Sequence, residues 1–436
     1  MKFFGSSGIR TLFNKELLNT AFRVGLATGI NHGNVVIGTD TRTSGDAMKH
    51  AVISGLLAAG ARCSDAGVTP TPTLAFVTRE FDAGVMITAS HNPPEYNGIK
   101  LLNPDGSSFD SLQQVQIEEM VLAESYNIAG WELIKHGDVY HGAIEHHIEN
   151  ILSSFPSSLK VKVVVDAGCG AASEVTPRLL ERLGCEVIAL NCYPSGFFPR
   201  GIEPNEANLQ ELCRVVREST AAVGIAHDGD ADRMMAVDDR GRFISGDKLL
   251  AILAKAVGAK DVVTTLDATM AVEEMDFKVR RTKIGDTLVS EELKKGGDFG
   301  GETSGAWIFP AISLCPDGIY AAAQIAALAS QHRLSELVDA IPVYPLLRGS
   351  VASDGTDMSR LEENLMALEP LSVSNTDGMK LNFSDGWLLV RPSGTEPKIR
   401  LTAEAKTEAR VRQLYDRGLG LVKDSIRPGR SGRKAS

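Results

Sequence analysis

One pattern recurs along most of the chain: a short run of Val, Ile, Ala and Gly, then a polar residue, then a stretch with helical spacing. "NVVIGTD" leads into "SGDAMKHAVISGLLAAG", and "KVKVVVDAGCG" into "EVTPRLLERLG". "AAVGIAHDGD" and "DVVTTLDAT" are further apolar runs that end in polar residues. Strands that are apolar at every position, not every second one, are buried on both faces, as in sheets with helices on each side. The expectation is an α/β fold. In such sheets ligand groups collect at the carboxyl ends of the strands. The polar residues at those ends are Asp40, Ser90, Asp228 and Asp267.

A chain of 436 residues is long enough for two to four domains. The polar stretch "NIAGWELIKHGDVYHG" closes a first domain, 1–145, and "DDRGRFISGDK" reads as a hairpin turn ending a second, 146–246. "AIPVYPLLRGS" links a third, 247–344, to a fourth, 345–426. In the fourth, "MKLNFSDGWLLVRPSGTEPKIRLTAEA" alternates like antiparallel strands around a loop. The basic tail, 427–436, lacks apolar residues and reads as disordered.

The formal net charge of −10 argues against a nucleic-acid partner, which needs a basic face. No apolar run approaches the ~18 residues of a membrane span, so no membrane partner is expected. The cysteines (Cys63, Cys169, Cys185, Cys192, Cys213 and Cys315) form no C-x-x-C pair and read as small hydrophobes in a reducing compartment. With no signal-peptide core at the start, the expected location is cytoplasmic.

The loop "ITASHNPPEYNGIK" (87–100) follows a buried run. Pro93 and Pro94 forbid a helix start, and Asn97-Gly98 reads as a tight turn, so Ser90 would sit on a rigid loop at a sheet edge. A Pro-terminated structural loop remains an alternative at this point. A serine hydrolase does not fit, because Ser90 lacks the G-x-S-x-G elbow. Neighbouring residues in an extended chain also point apart, which places His91 poorly as its base.

"HDGDADR" puts Asp228, Asp230 and Asp232 at alternate positions directly after an apolar strand. Carboxylates this close repel one another unless a hard cation with oxygen ligands gathers them. An EF-hand is disfavoured, since the sixth loop position is Arg233 and a strand precedes the loop. A solvated acidic turn and a Mg²⁺ site remain, and Mg²⁺ needs only a few carboxylates plus a phosphate oxygen. Arg233 could reach that same phosphate with its fork.

"RPSGTEPKIR" combines Arg391, Ser393, Gly394, Thr395 and Arg400, a glycine-permitted nest of amides and hydroxyls with two cations, which suits a phosphate dianion. "FGGETSGAW" offers Glu302 and Ser304 to vicinal sugar hydroxyls, and "TKIGD" adds Lys283. Each of these two signals is weak when read alone.

Taken in order, "FGSSGIR", "TASHNPPEYNGIK", "HDGDADR", "GGETSG" and "RPSGTEPKIR" resemble the motifs of the α-D-phosphohexomutase superfamily, and they span nearly the whole chain. The resemblance implies three similar mixed α/β domains plus a smaller C-terminal α+β domain around a central active-site cleft. It implies that Ser90 is carried as phosphoserine and exchanges phosphoryl groups with a hexose phosphate through a sugar bisphosphate, which also serves as activator. Asp228, Asp230 and Asp232, with a phosphoserine oxygen, would hold one Mg²⁺ per chain. Arg10, Lys100 and Arg233 would neutralise charge, with Lys100 or His91 moving a proton. Glu302, Ser304 and Lys283 would bind the sugar, and Arg391, Ser393, Gly394, Thr395 and Arg400 the non-reacting phosphate. Such a protein acts on a phosphosugar, and a homodimer stays open. "FGSSGIR" and "SGAWIFP" look most like the archaeal-type phosphoglucosamine mutases, with Ala306 where dual glucose/mannose mutases carry a His. Glucosamine phosphate is the favoured substrate, and glucose or mannose phosphate the alternative. A non-catalytic sugar-phosphate sensor and a simple phosphatase are the competing classes.

Overall fold

The apolar runs become strands with both faces covered. Val35, Ile37, Val85, Ile87, Ile99 and Leu101 join one buried cluster, whereas Val36, Met86 and Leu102 join another. Successive strand residues point to opposite faces, so an unbroken apolar run is what two covered faces require. The computed structural model describes residues 4–5, 8–123, 127–155, 158–353, 358–392 and 398–426. The expected disordered tail, 427–436, lies outside the described residues. The chain forms two compact units: residues 1–263 with 285–340, and residues 264–284 with 341–436.

In the first unit, the leading elements are β1 (Phe4–Gly5), β2 (Gly8–Leu12), α1 (Lys15–Asn31), β3 (Asn34–Thr39), α2 (Gly45–Ala58), β4 (Arg62–Val68), α3 (Thr71–Val77), β5 (Ala83–Ile87), β6 (Tyr96–Leu102), α4 (Ser111–Ala123), β7 (Gly137–Val139) and α5 (Ala143–Leu152). Their strands form a mixed sheet in the order β1-β2-β6-β5-β3-β4-β7 among the described residues. β3 runs parallel to β4 and β5, whereas β6 is antiparallel to β5 and β2. A second sheet contains β8 (Lys162–Asp166), β9 (Glu186–Leu190), β10 (Val223–His227), β11 (Met234–Val237) and β12 (Phe243–Ile244), with α6 (Ala172–Arg182) and α7 (Gln210–Ser219) between strands in sequence. Its order is β12-β11-β10-β8-β9, with β11 and β12 forming the expected hairpin at "DDRGRFIS". Next come α8 (Gly246–Ala256), β13 (Asp261–Thr265), β14 (Lys278–Thr282), α9 (Asp286–Leu293), β15 (Phe299–Gly301), β16 (Trp307–Ile308), α10 (Gly318–Gln331) and α11 (Leu334–Asp339). β14 and the end of β13 fall in the second unit.

The second unit is built on an antiparallel sheet of β17 (Leu346–Ala352), β18 (Ser372–Ser374), β19 (Met379–Phe383), β20 (Gly386–Pro392) and β21 (Lys398–Ala405), ordered β17-β21-β20-β19-β18. It packs with α12 (Met358–Met366) and α13 (Glu408–Ser425). Segment 264–284 is tied to this sheet by buried polar groups. Glu404 accepts from Thr269 Oγ1, from Met270 N (2.7 Å) and from Trp387 Nε1 (2.7 Å), while Lys380 Nζ donates to Leu266 O (2.6 Å).

One expectation fails here. Asn97-Gly98 is not a turn but part of β6, and the turn before it is closed by Tyr96 N donating to Pro93 O (3.0 Å). Gly98 serves close approach: a Cβ there would lie 2.1 Å from Ile9 O on the neighbouring strand. The same device lets α1 meet α2, since a Cβ on Gly55 would lie 2.1 Å from Phe22 O.

Gly55→Val should therefore force α1 and α2 apart, lowering the thermal unfolding midpoint through an overpacking cost of about 1–3 kcal/mol. Gly420→Ala, on the exposed side of α13 with nothing within 4 Å of the added Cβ, should raise stability by up to about 1 kcal/mol. Calorimetry on the two variants checks both signs.

Candidate active site

β5 delivers the serine loop. Three residues past its end, Ser90 takes a left-handed backbone (φ 50°), which is uncommon for a non-glycine residue and needs outside support. Support comes from Arg42, whose guanidinium donates to four loop carbonyls: Ser90 O (2.8 Å), Asn92 O (2.6 Å), Pro93 O (2.6 Å) and Tyr96 O (2.9 Å). Its Nε donates to Asp40 Oδ2 (3.1 Å), and both side chains are fully buried. Thr88 Oγ1 donates to the same Asp40 oxygen (2.7 Å) and accepts from Ser90 N (2.8 Å). Burial pushes the Asp40 carboxyl up to about 6, against the pull of Arg42 and Thr88.

The left-handed turn also corrects the reading of His91. Ser90 Oγ lies 3.3 Å from His91 Nδ1, because the backbone between them is not extended. Burial, followed by the charges of Arg233 and Arg10, pushes His91 down to about 3, so its ring is neutral near pH 7.

β10 delivers the acidic loop. His227, at the strand's end, bridges the loop's base: its Nε2 pairs with Thr176 Oγ1 (3.0 Å) and its Nδ1 with Arg233 O (3.1 Å). Only a ring with its proton on Nδ1 can donate to that carbonyl, which leaves Nε2 to accept from the threonine. Carboxylate oxygens of Asp228, Asp230 and Asp232, all three residues buried, lie within 4.8 Å of one another. Asp228 Oδ2 accepts from Ser90 Oγ (2.7 Å) and its Oδ1 from Arg233 N (3.2 Å). Lys100 Nζ, projecting from β6, donates to Asp230 Oδ2 (2.7 Å) and Asp232 Oδ2 (2.5 Å). Thr71 Oγ1 donates to Asp230 Oδ2 as well (2.5 Å).

The electrostatics follow from this crowding. Burial and the neighbouring carboxylates push Asp228 well up, and Asp232 up as well. Asp230 is equally buried, yet Lys100 and its hydrogen bonds hold it below the usual carboxylate range. Burial works against the charge on Lys100, but the attraction of Asp230 and Asp232 outweighs it and holds the amine above its ordinary value.

A metal fits this set. Asp230 Oδ1 and Asp232 Oδ1 are buried with no hydrogen-bond partner among the described residues. Unsatisfied buried oxygens cost energy that a hard divalent cation would offset.

The "GGETSG" loop laces onto the acidic loop within the same unit. Arg233 pairs with Ala306 across a β-bridge, Met234 N donates to Gly305 O (2.9 Å), and Trp307 Nε1 donates to Met234 O (2.7 Å). Glu302 accepts from Gly285 N (2.7 Å), and Ser304 Oγ reaches its other oxygen at 3.4 Å. Arg233 Nη1 pairs with Glu203 (3.1 Å). Arg10, on β2 opposite Gly98, has its buried Nε without a partner among the described residues. The first unit thus brings together Arg10, Ser90, His91, Lys100, the three aspartates and Arg233, with Glu302 and Ser304 on the adjoining loop.

Lys283, Arg391 and Arg400 belong to the second unit. Arg391 and Arg400 stand directly opposite each other on β20 and β21, flanking the loop, and Arg391 Nη1 pairs with Asp377 (3.2 Å). Like charges directly across a ladder repel, an arrangement suited to an anion. Ser393, Gly394 and Thr395 lie outside the described residues. Sequence reading missed Arg42, Thr71 and Glu203. An arginine two residues beyond a strand-end Asp, as in "GTDTR", is the local signal that could have pointed to the first.

Four family models match the chain in order, described as "Phosphoglucomutase/phosphomannomutase, alpha/beta/alpha domain I" over residues 1–127, domain II over 139–241, domain III over 245–344 and the C-terminal domain over 357–418. A relative from Methanocella arvoryzae described as "Probable phosphoglucosamine mutase" is 47% identical over 435 residues, covering 98% of this chain and 99% of its own. One with the same description from Methanococcoides burtonii is 46% identical, covering 98% and 100%. A crystal structure of a phosphoglucomutase/phosphomannomutase family protein from Burkholderia thailandensis superposes with a TM-score of 0.84 at 27% identity, covering 97% of this chain and 98% of that one. The fold is that of the α-D-phosphohexomutase superfamily. The chain belongs to the phosphoglucomutase/phosphomannomutase family.

Arg42→Met should strand Asp40 as an unpaired buried acid and free the serine loop, costing about 3–5 kcal/mol of stability. Pairing it with Asp40→Asn should recover part of the thermal midpoint but not the turnover rate, because the four loop carbonyls remain unheld. A double-mutant cycle read by calorimetry and by activity separates the two effects.

Proposed function

We propose that this chain interconverts hexosamine 6-phosphate and hexosamine 1-phosphate, with glucosamine phosphate as its substrate, through phosphoserine at Ser90 and a sugar bisphosphate. The observation that carries the reading is the placement of Ser90 Oγ 2.7 Å from Asp228 Oδ2, at the edge of a triad with two unpartnered buried oxygens. A simple structural loop has no use for that juxtaposition. The relatives' descriptions favour the amino sugar over glucose or mannose phosphate.

In this reading Asp228, Asp230 and Asp232 hold Mg²⁺ together with an oxygen on Ser90. When bound, the ion supplies Lewis-acid stabilisation of the phosphoryl oxygens. Phosphoserine carries about −1.5 to −2 charges, and Arg10, Lys100 and Arg233 offset them. Phosphoryl transfer needs mainly positioning and charge stabilisation, so rigid loops suit it better than reactive side chains. Ser90 gives its phosphoryl group to a sugar hydroxyl and recovers one from the other end of the bisphosphate. Lys100 or His91, whose Nδ1 lies 3.3 Å from Ser90 Oγ, moves the proton in the transfer. Glu302, Ser304 and Lys283 bind the sugar. Arg391 and Arg400, with Ser393, Gly394 and Thr395, bind the phosphate that does not react. An added sugar bisphosphate activates the enzyme by phosphorylating Ser90. The six free thiols suit a cytoplasmic location.

Mass spectrometry of the native protein should find about 80 Da added at Ser90, and Ser90→Ala should lose turnover by several orders of magnitude. Full mutase activity in Ser90→Ala with a bisphosphate primer present would remove the assignment. Release of free phosphate in place of isomer would indicate a phosphatase, and binding without isomerisation a sensor. Chelation with EDTA should abolish turnover and Mg²⁺ should restore it. Comparing kcat/KM for glucosamine, glucose and mannose 1-phosphates measures the sugar preference directly.

A further inference from the structure

The metal-site reading leaves open what fixes the orientation of each aspartate. Asp228 is set by Ser90 and the Arg233 amide, and Asp232 by Lys100. Asp230 receives more. Thr71, the first residue of α3, donates its backbone N–H to Asp230 O (2.9 Å) and its hydroxyl to Asp230 Oδ2 (2.5 Å). Lys100 Nζ donates to that same oxygen (2.7 Å). Two donors occupy the lone pairs of Oδ2, while Oδ1 stays buried without a partner among the described residues.

α3 cannot easily yield. Two residues on, Thr73 Oγ1 pairs with His147 Nδ1 (2.9 Å), and His147 Nε2 pairs with Asp317 Oδ2 (3.1 Å), all buried. Asp317 caps α10, and the next residue, Gly318, donates its N–H to Ala231 O (3.3 Å) in the acidic loop. A Cβ on Gly318 would lie 2.7 Å from that carbonyl, so helix and loop are in close contact. The bonds close a ring: Thr71 to Asp230, along the loop to Ala231, across to α10, and back through His147 to Thr73.

From this geometry we propose that Thr71 is a positioning residue that confines Asp230 to coordination through a single oxygen, and so tilts the site toward Mg²⁺ and against Ca²⁺. The proposal rests on the metal-site reading above. The chemistry is that of the two ions. Mg²⁺ demands near-octahedral geometry at about 2.0–2.1 Å with few protein ligands, whereas Ca²⁺ accepts bidentate carboxylates and more ligands at about 2.3–2.6 Å. An aspartate with one oxygen already committed to a hydroxyl and an ammonium can offer only the other. Without the hydroxyl, Oδ2 keeps only the Lys100 ammonium and regains a lone pair through which the carboxylate can add a second bond to the ion.

The test titrates MgCl₂ and CaCl₂ separately into the phosphatase-treated full chain by calorimetry. Wild type, Thr71→Val and Thr71→Ser are compared without substrate. Thr71→Val keeps shape and the backbone bond but loses the donor. Its Mg²⁺ Kd should rise about 10-fold or more, with a smaller loss or a gain for Ca²⁺, and Thr71→Ser should restore both values toward wild type. Unchanged Mg²⁺ affinity in Thr71→Val overturns the proposal. So does an equal loss for both ions, or a Thr71→Ser variant as weak as Thr71→Val. Should Thr71→Val fail to fold, as judged by its metal-free thermal midpoint, Thr71→Ala makes the same comparison. A wild-type chain that discriminates between the ions yet isomerises no sugar phosphate would sink the functional reading and leave this one standing. One that binds neither ion sinks both.

Discussion

Three carboxylates share a buried volume a few ångströms across, and one ammonium stands among them. Each pair of like charges at such distances costs several kcal/mol at the effective dielectric of a protein, about 4 kcal/mol at 4 Å. Lys100 answers two of them directly, and Arg233 lies close enough to lower the pKa of Asp228 and Asp232. The compensation is incomplete, since burial and the neighbouring carboxylates still hold Asp228 and Asp232 above the ordinary carboxylate range. Much of the first unit can be understood as a cage for that imbalance. β6 supplies the ammonium, α3 a hydroxyl, β10 the acidic loop, and α10 a helix start against the loop's back.

The serine loop solves a second problem by the same means. Ser90 is held in a backbone conformation that costs of order 1–3 kcal/mol, and Ala231 in the acidic loop shares it. A fully buried guanidinium binding four carbonyls and one carboxylate makes that conformation the stable one. The loop backbones also touch: a Cβ on Gly229 would lie 2.7 Å from Ser90 O. Rigid placement is what a phosphoryl-transfer site needs, because the reaction gains mostly from fixed charges at fixed distances.

Much of this was legible in the chain before any coordinates. The covered strands were legible because burial on both faces leaves no polar alternation, and Ser90 and Asp228 because they follow such strands directly, whereas Asp40 at another strand end holds Arg42 and Thr88 instead. The aspartate triad was legible because its spacing is local. The misreadings have one origin, the use of local rules where a distant contact decides. Asn97-Gly98 has turn composition, but its glycine exists so that β2 can approach. His91 was judged from an extended backbone, but Arg42, some fifty positions earlier, bends the chain there.

Sequence by itself determined the strand-and-helix order, the residue types at the strand ends and the motifs that place the chain in its family. Those are properties of consecutive residues, set by side-chain size, periodicity and the conformational limits of proline and glycine. Only the tertiary structure decided that Lys100 bridges Asp230 and Asp232, that Arg42 clamps the serine loop and that Thr71 fixes one oxygen of Asp230. Each joins segments between 48 and 159 positions apart. A buried polar atom takes whichever partner the fold brings within about 3 Å, and no run of neighbouring residues records which one that is.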